Sequence, residues 1–329
     1  MRVIRSASLQ PLKNRRIAVL GYGSQGRAQA LNLRDAGFEL LIGLPVRSGS
    51  RTKARRDRMR VVSPAEAVQQ SNIIFVLAPD HRHGIVFHAE IEPNLRPGQM
   101  LVFAHASSVH FGIVAPPPYV DTILIAPLGP GQRLRELAGR SDGVACFFAI
   151  HQDPSRTSRR TGLALARAVG CIPAGAIVTT FADEAIGDLF GEQAVLCGGL
   201  GELLQAGVET LIRHGLSPEN AYLECVYQLD LIVDLIKQHG LPGMYERISP
   251  TAAYGARVAG PRVIPEASRK AMDALYKSIA SGEFFRAWVR TGSGKRAKRT
   301  MYPTVSMKFR NAESRVLKVL TPKAKSSPA

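Results

Sequence analysis

The sequence predicts an α/β protein in which an N-terminal, Rossmann-type, doubly wound parallel sheet precedes an all-α domain. Three observations predict it. Six short apolar runs alternate with helix-patterned stretches through the first half, a glycine-rich turn leaves the first run, and beyond about residue 180 strand signals give way to long apolar-periodic helices. The runs are Arg16–Leu20, Leu40–Ile42, Asn72–Leu77, Met100–Phe103, Thr122–Ile125 and Ala145–Ile150. None alternates polar with apolar, which is the pattern of strands covered on both faces.

Taken in order, the first run leads directly into Gly21-Tyr22-Gly23-Ser24-Gln25-Gly26 and then a helix expected over Gln25–Ala36. In a strand–turn–helix context the first glycine permits the tight turn and the second lets backbone approach a pyrophosphate. The third lets helix and strand pack closely, and the helix N-terminus receives the phosphates. The second run ends in Gly43-Leu-Pro-Val-Arg47-Ser48-Gly-Ser50-Arg51, with no acid before Asp57 to hold a ribose 2′-hydroxyl. Arg47, Ser48 and Ser50 instead offer donors for a 2′-phosphate, so the expected cofactor is NADPH. A basic helix, Arg51 to Arg60, is expected next. The fourth run is followed by His105, at a strand carboxyl end where open α/β sheets place their ligands.

In the second half, Asp188 and Glu192 stand four residues apart within an apolar helical run that includes Leu189, Phe190, Ala194, Val195 and Leu196. One helical turn aligns the two carboxylates. Buried side by side they would repel each other and resist desolvation unless a cation offset them, and a hard divalent ion such as Mg²⁺ fits. Glu224 lies on a second apolar helix and would complete the site, with Gln228 one turn on where a paired acid is expected. Helices are expected over 188–212, 218–238 and 268–281.

The 329 residues suit two domains, and 45% apolar with 21% charged residues suits a globular chain. The expected division is a cofactor domain over 1–181, a helical domain over 182–290 carrying metal, substrate and dimerisation functions, and a basic, disordered tail over 291–329. That tail holds ten Lys or Arg against Glu313, more than half of a net charge of +17. Rich in Ser, Pro and Lys, it reads as a solubilising end. No RNA-binding aromatic signature or helix-turn-helix pattern accompanies it, so no nucleic-acid partner is expected. No window reads as a membrane span, the N-terminus lacks a secretory apolar core, and the scattered Cys146, Cys171, Cys197 and Cys225 read as reduced thiols. A cytoplasmic location is expected.

Gly21 to Leu33, Phe103-Ala-His105, His110-Phe-Gly112, Ala126-Pro-Leu-Gly-Pro-Gly131, Asp188 to Gly199 and Leu231 to Leu235 together resemble ketol-acid reductoisomerase of the short type, collinearly from about residue 15 to 290. The resemblance implies a knotted helical domain, a homodimer whose interlocked subunits complete each site, and a small 2-keto or 2-hydroxy acid substrate. It implies a Mg²⁺-dependent alkyl shift and hydride delivery from NADPH, converting 2-acetolactate and its ethyl homologue to dihydroxy acids in valine and isoleucine synthesis. By position it assigns NADP contacts to Tyr22, Gly23, Ser24, Gln25, Ser48, Ser50, Asp80, His81, Arg82, His83 and Gly131. It makes His105 the active-site histidine, Asp188, Glu192 and Glu224 metal ligands, and Ser249 the holder of the substrate carboxylate.

The departures lie close to that chemistry. Leu128 replaces a lysine, Gln228 the second acid of the Glu224 helix, Pro45 an arginine of the 2′-phosphate loop, and Pro250 and Ala253 two polar residues after Ser249. Lost charge around a metal clamp weakens stabilisation of developing alkoxides, so the isomerase half should suffer most. Two further readings follow: an NADPH-dependent 2-keto acid reductase without the isomerase step, and a catalytically silent NADP-binding paralogue.

Overall fold

The computed structural model describes residues 1–291 and 303–320. Two compact units are present: Met1–Asp188 with Ser281–Lys295, and Leu189–Ala280 with Arg296–Ala329.

The first unit is built on a nine-stranded sheet in the order β1-β9-β8-β7-β6-β5-β2-β3-β4. Its strands are β1 (Val3–Ile4), β2 (Ile17–Leu20), β3 (Leu40–Gly43), β4 (Arg60–Val62), β5 (Ile73–Val76), β6 (Met100–Phe103), β7 (Asp121–Pro127), β8 (Cys146–Gln152) and β9 (Ala176–Val178). From β4 to β7 the pairing is parallel throughout. Alternate residues of one strand enter opposite cores: Ile17, Val19, Ile73, Phe75 and Val102 pack on one face, Ala18, Leu20, Ile74, Val76 and Leu101 on the other. Truncating a wholly buried ring such as Phe75 to alanine should cost about 3–5 kcal/mol.

The sheet is mixed rather than wholly parallel. β8 runs antiparallel to β7, and β1 antiparallel to β9. Unbroken apolarity reports burial on both faces, which is indifferent to strand direction, so the sequence pattern could not register the reversal. β1, β4 and β9 are too short to show a pattern. The basic helix expected to reach Arg60 stops at Arg56, because Arg58 turns with φ of 58° and Arg60 opens β4.

Helices α1 (Ser24–Asp35), α2 (Ser50–Arg56), α3 (Pro64–Gln70), α4 (His83–Val86), α5 (Ser107–His110), α6 (Gly131–Glu136) and α7 (Ser158–Ala168) connect or flank these strands. After β9 come α8 (Phe181–Phe190) and, following a π-helical turn over Gly191–Leu196, α9 (Gly198–Arg213). α10 (Pro218–Tyr222) likewise passes through a π-helical turn, Leu223–Tyr227, into α11 (Leu229–Tyr245), which kinks at Gly240 (φ 71°). α12 (Pro250–Val263), α13 (Glu266–Ala280) and α14 (Glu283–Thr291) follow.

Part of the tail expected to be disordered is a helix, α15 (Met307–Leu320). It buries Phe309, Ala312 and Val316 beside Val208, Ala221 and Tyr222 of the helical unit, and Arg315 pairs with Glu219 at 2.9 Å. Its apolar residues recur every three to four positions, and the basic charge between them hid that stripe in a composition count. Residues 292–302 and 321–329 lie outside the description.

Phe181–Arg213 runs long and apolar enough, by length and composition alone, to cross a membrane, contrary to the sequence expectation, and only 6% of its most apolar window is buried. Six acids and six glycines spread along it masked its continuity. Large apolar side chains are exposed across this unit, among them Leu196 at 67%, Leu231 at 61% and Tyr254 at 64%.

Candidate functional site

The turn after β2 has the geometry its glycines require. Gly21 has φ of 109°, and a Cβ there would lie 2.3 Å from the Leu77 carbonyl oxygen. A Cβ on Gly26 would lie 2.5 Å from the Gly21 oxygen, so strand and helix meet backbone to backbone. Gly23 differs, since a Cβ there would meet nothing within 4 Å. It precedes α1 as an N-cap without a side-chain acceptor, and no acid occupies the first turn. The result is an open cradle with unsatisfied N–H groups and a positive dipole end, which fits a pyrophosphate.

Several residues assigned as cofactor contacts serve to build this cradle. Tyr22 is 3% exposed, its hydroxyl donates to Asp57 at 2.9 Å, and burial followed by that carboxylate raises its pKa. Gln25 donates to the Gly129 carbonyl at 2.8 Å, and a Cβ at Gly131 would strike the Ser24 carbonyl at 2.3 Å. The two glycine-bearing loops are thereby held against each other. In the loop after β3, Ser48 accepts from the Ser50 amide at 3.3 Å, while Arg51 is spent on the carbonyls of Leu44 and Val62. Among the described residues the exposed Arg47 guanidinium has no partner, so it is the cation of this loop open to a phosphate.

Asp80, His81 and Arg82 form a short 3-10 turn after β5, and His81 meets Trp288 of α14 edge-on with centroids 5.5 Å apart. Burial and then the neighbouring Arg82 lower the His81 pKa. His83 is 2% exposed and bonded to Ser108 Oγ and the Ala78 carbonyl. These two bonds tie the turn after β5 to α5 and the end of β5.

At the carboxyl end of β6, His105 is ringed by acceptors. Nδ1 lies 3.2 Å from Glu184 Oε2, and Nε2 lies 3.1 Å from Ser107 Oγ and 3.4 Å from Asp188 Oδ2. Burial opposes the imidazolium, but the hydrogen bond and charge of Glu184, then Asp80 and Asp188, outweigh it and push the pKa up to about 9. Glu184 is 4% exposed and also accepts from the Ala106 amide at 2.8 Å, so one carboxylate fixes both ring and loop. Sequence reading missed Glu184 and Ser107. The signal for Glu184 was available, because it precedes Asp188 by the same four residues that separate Asp188 from Glu192.

The acids expected to be buried around a metal are exposed: Asp188 has a 42% exposed side chain, and Glu192 and Glu224 are exposed as well. Of the apolar neighbours that suggested burial, Val195 and Leu196 are themselves bare, Phe190 and Ala194 are half-buried, and Leu189 is buried. Glu192 and Glu224 each sit on one of the π-helical turns, a distortion found often at functional sites. Their carboxylate oxygens are the donors a hard divalent ion takes. The residues therefore suit Mg²⁺ in kind, although among the described residues no three His, Cys, Asp or Glu form a cluster able to hold a metal. Gln228 donates to Glu224 Oε2 at 3.1 Å. Leu128 is 49% exposed, and Ser249 caps α12 by accepting from the Ala252 amide at 3.2 Å.

Comparison with known proteins gives matches along nearly the whole chain. A family model described as acetohydroxy acid isomeroreductase, NADPH-binding domain, matches residues 11–175, and one described as ketol-acid reductoisomerase, C-terminal domain, matches 181–320. The structure of an NADH-preferring ketol-acid reductoisomerase from an uncultured archean is 34% identical with a TM-score of 0.90, covering 98% of this chain and 100% of that one. A semialdehyde dehydrogenase NAD-binding protein from Cupriavidus necator (18% identity, TM-score 0.66, 83% of this chain and 99% of that one) is similar in fold. So is a pyrroline-5-carboxylate reductase from Coxiella burnetii (13%, 0.56, 80% and 97%).

Proposed function

The chain belongs to the ketol-acid reductoisomerase family of NAD(P)-dependent oxidoreductases, and from that premise we propose that it converts 2-acetolactate and 2-aceto-2-hydroxybutyrate to 2,3-dihydroxy acids with NADPH and Mg²⁺. The observation that carries the proposal is His105, held between Glu184, Ser107 and Asp188 at the carboxyl end of β6, the second strand along from the glycine cradle of β2.

In this reading the first turn of α1 binds the pyrophosphate, Arg47 with Ser48 and Ser50 meets the 2′-phosphate, and Asp80, His81 and Arg82 border the cofactor. Bound Mg²⁺ and NADPH supply Lewis acidity for the alkyl shift and the hydride for reduction. His105 faces a substrate oxygen, and the hydrogen bond and charge of Glu184 favour its protonated form, so it serves as the proton donor. Glu184 orients the ring, and Ser249, beyond its capping bond, offers its hydroxyl to the substrate carboxylate. Asp188, Glu192 and Glu224 provide the metal oxygens. The bare apolar faces of α9, α11 and α12 support an interlocked homodimer that completes the metal site, in the cytoplasm.

A second reading is favoured by two side chains. Leu128 places an uncharged, half-exposed side chain where the resemblance expects a lysine, and Gln228 gives Glu224 a hydrogen-bond donor instead of a second acid. On this reading the chain reduces the isomerised keto acid and has lost the alkyl shift. NADPH oxidation with Mg²⁺ separates the two: turnover of both 2-acetolactate and 3-hydroxy-3-methyl-2-ketobutyrate supports the full reaction, and turnover of the second alone supports the reductase. Turnover of neither by a protein that binds NADPH leaves the silent paralogue. NADH used as well as NADPH would overturn the role given to Arg47.

A further inference from the structure

We infer that the amino-terminal edge of the sheet carries a second binding site, for a phosphorylated small molecule of nucleotide size, at the strand ends opposite to those that hold His105. A cavity of about 490 Å³ opens where β2, β3 and β4 begin, and Arg16, Arg34, Arg58 and Arg60 converge on it against the single acid Glu39. A neighbouring cavity of about 470 Å³ shares Arg34 and Arg58 and adds Arg56. The acid in that second cavity, Asp57, is already engaged by Arg27 at 2.6 Å and by Tyr22.

An ordinary structural duty accounts for only one of these arginines. Arg34, in the last turn of α1, bonds Asp35 and the Asp57 carbonyl at 2.7 Å, where a cation also answers the negative end of the helix. Among the described residues the guanidinium groups of Arg16, Arg58 and Arg60 have no hydrogen-bond or ion-pair partner, and none of the three lies within a helix. Arg58 is brought to the cavity through a left-handed backbone (φ 58°), a conformation that costs a non-glycine residue about 1 kcal/mol or more. Three unpartnered cations gathered in one hollow repel one another, and a phosphate ester relieves that repulsion while matching the guanidinium fork. Part of the wall between them is apolar, with Phe38 half-buried and Met59 buried, beside the polar Glu39 and Gln70. Guanidinium donors at the rim with an aromatic ring inside suit a phosphate joined to a flat apolar body, and the volume lies in the range of small-molecule sites.

The test is calorimetric titration of the full chain, saturated with NADPH so that its dinucleotide site is filled, using ADP and separately inorganic pyrophosphate as probes. Saturable 1:1 binding of ADP is expected, weakened at least tenfold in the double variant Arg16→Gln/Arg60→Gln and unchanged in Arg159→Gln, with the same Tm in all three proteins. Pyrophosphate should bind more weakly than ADP, and Phe38→Ala should abolish the difference. If the double variant loses its fold, Arg58→Gln alone provides the comparison and is expected to weaken ADP several-fold. Absence of saturable binding, or equal weakening by Arg159→Gln, overturns the site. Pyrophosphate binding as tightly as ADP overturns the assigned ligand class.

Discussion

Gly21 and Gly23 are two residues apart, yet alanine at each should fail in a different way. At Gly21 the backbone is left-handed (φ 109°), and a new Cβ would lie 2.3 Å from the Leu77 oxygen, a distance that forces β2 and β5 to shift at their carboxyl ends. The conformational penalty is about 1–2 kcal/mol and the overpacking about 1–3 kcal/mol more, for a total near 3 kcal/mol. For a domain of this size that lowers Tm by roughly 6–12 °C. At Gly23 the backbone is extended and a Cβ meets nothing within 4 Å. A small gain from reduced unfolded-state entropy offsets a small loss at the N-cap, so stability should stay within about 0.5 kcal/mol of wild type. The same methyl would occupy the cradle over α1 and displace the pyrophosphate, weakening NADPH by about 10- to 100-fold, or roughly 1.4–2.8 kcal/mol. Thermal unfolding reads the first quantity. Titration followed by Trp288 fluorescence reads the second, since that ring packs edge-on against His81 of the turn after β5, which is proposed to border the cofactor. Gly23→Ala binding NADPH like wild type, or melting as low as Gly21→Ala, would refute the placement of the pyrophosphate over this turn.

Three further outcomes are expected. Glu184→Gln keeps an acceptor for the Ala106 amide but removes the charge beside His105; a charge-assisted bond is worth about 1.5–3 kcal/mol, so kcat/KM for whichever keto acid the wild type reduces should fall about 10- to 100-fold with NADPH affinity unchanged. Wild-type kinetics in that variant would remove Glu184 from the site. The double variant Leu128→Lys/Gln228→Glu should raise turnover of 2-acetolactate more than that of 3-hydroxy-3-methyl-2-ketobutyrate, and equal ratios before and after would show that neither position governs the alkyl shift. Asp57, held below the usual carboxylate range chiefly by its hydrogen bonds from Arg27, stabilises the fold while it is ionised. Asp57→Asn should therefore cost about 1 kcal/mol near neutral pH, and urea titrations should show that deficit shrinking only as pH falls below the unfolded value of about 3.9 and through the lower folded one. A deficit that persists unchanged through that range would mean the ion pair contributes nothing.

Much of the fold was legible because the causes are local. Unbroken apolar runs mark strands covered on both faces, and a Gly-x-Gly-x-x-Gly turn after the first of them admits few geometries. Strand direction was not legible, since the apolar run of β8 buries Cys146, Phe148 and Ala149 while running antiparallel to β7, and apolarity alone is indifferent to direction. α15 went unread because its charge dominated its composition, while its apolar stripe acquires meaning only beside Tyr222 and Val208. The candidate site was partly legible for the same reason. His105, Asp188, Glu192 and Glu224 could be singled out by residue type and spacing, but their burial could not.

The sequence by itself determined the α/β class, the dinucleotide turn at Gly21 to Gly26 and the identity of the chemical groups, because each depends on side-chain type or on neighbours a few positions away. Tertiary structure alone decided which groups meet. Glu184 reaches His105 across 79 residues of chain, and Arg16, Arg34 and the neighbouring pair Arg58 and Arg60 gather at one sheet edge from three different segments. Contacts of that kind are set by strand order and register, and no local spacing encodes them.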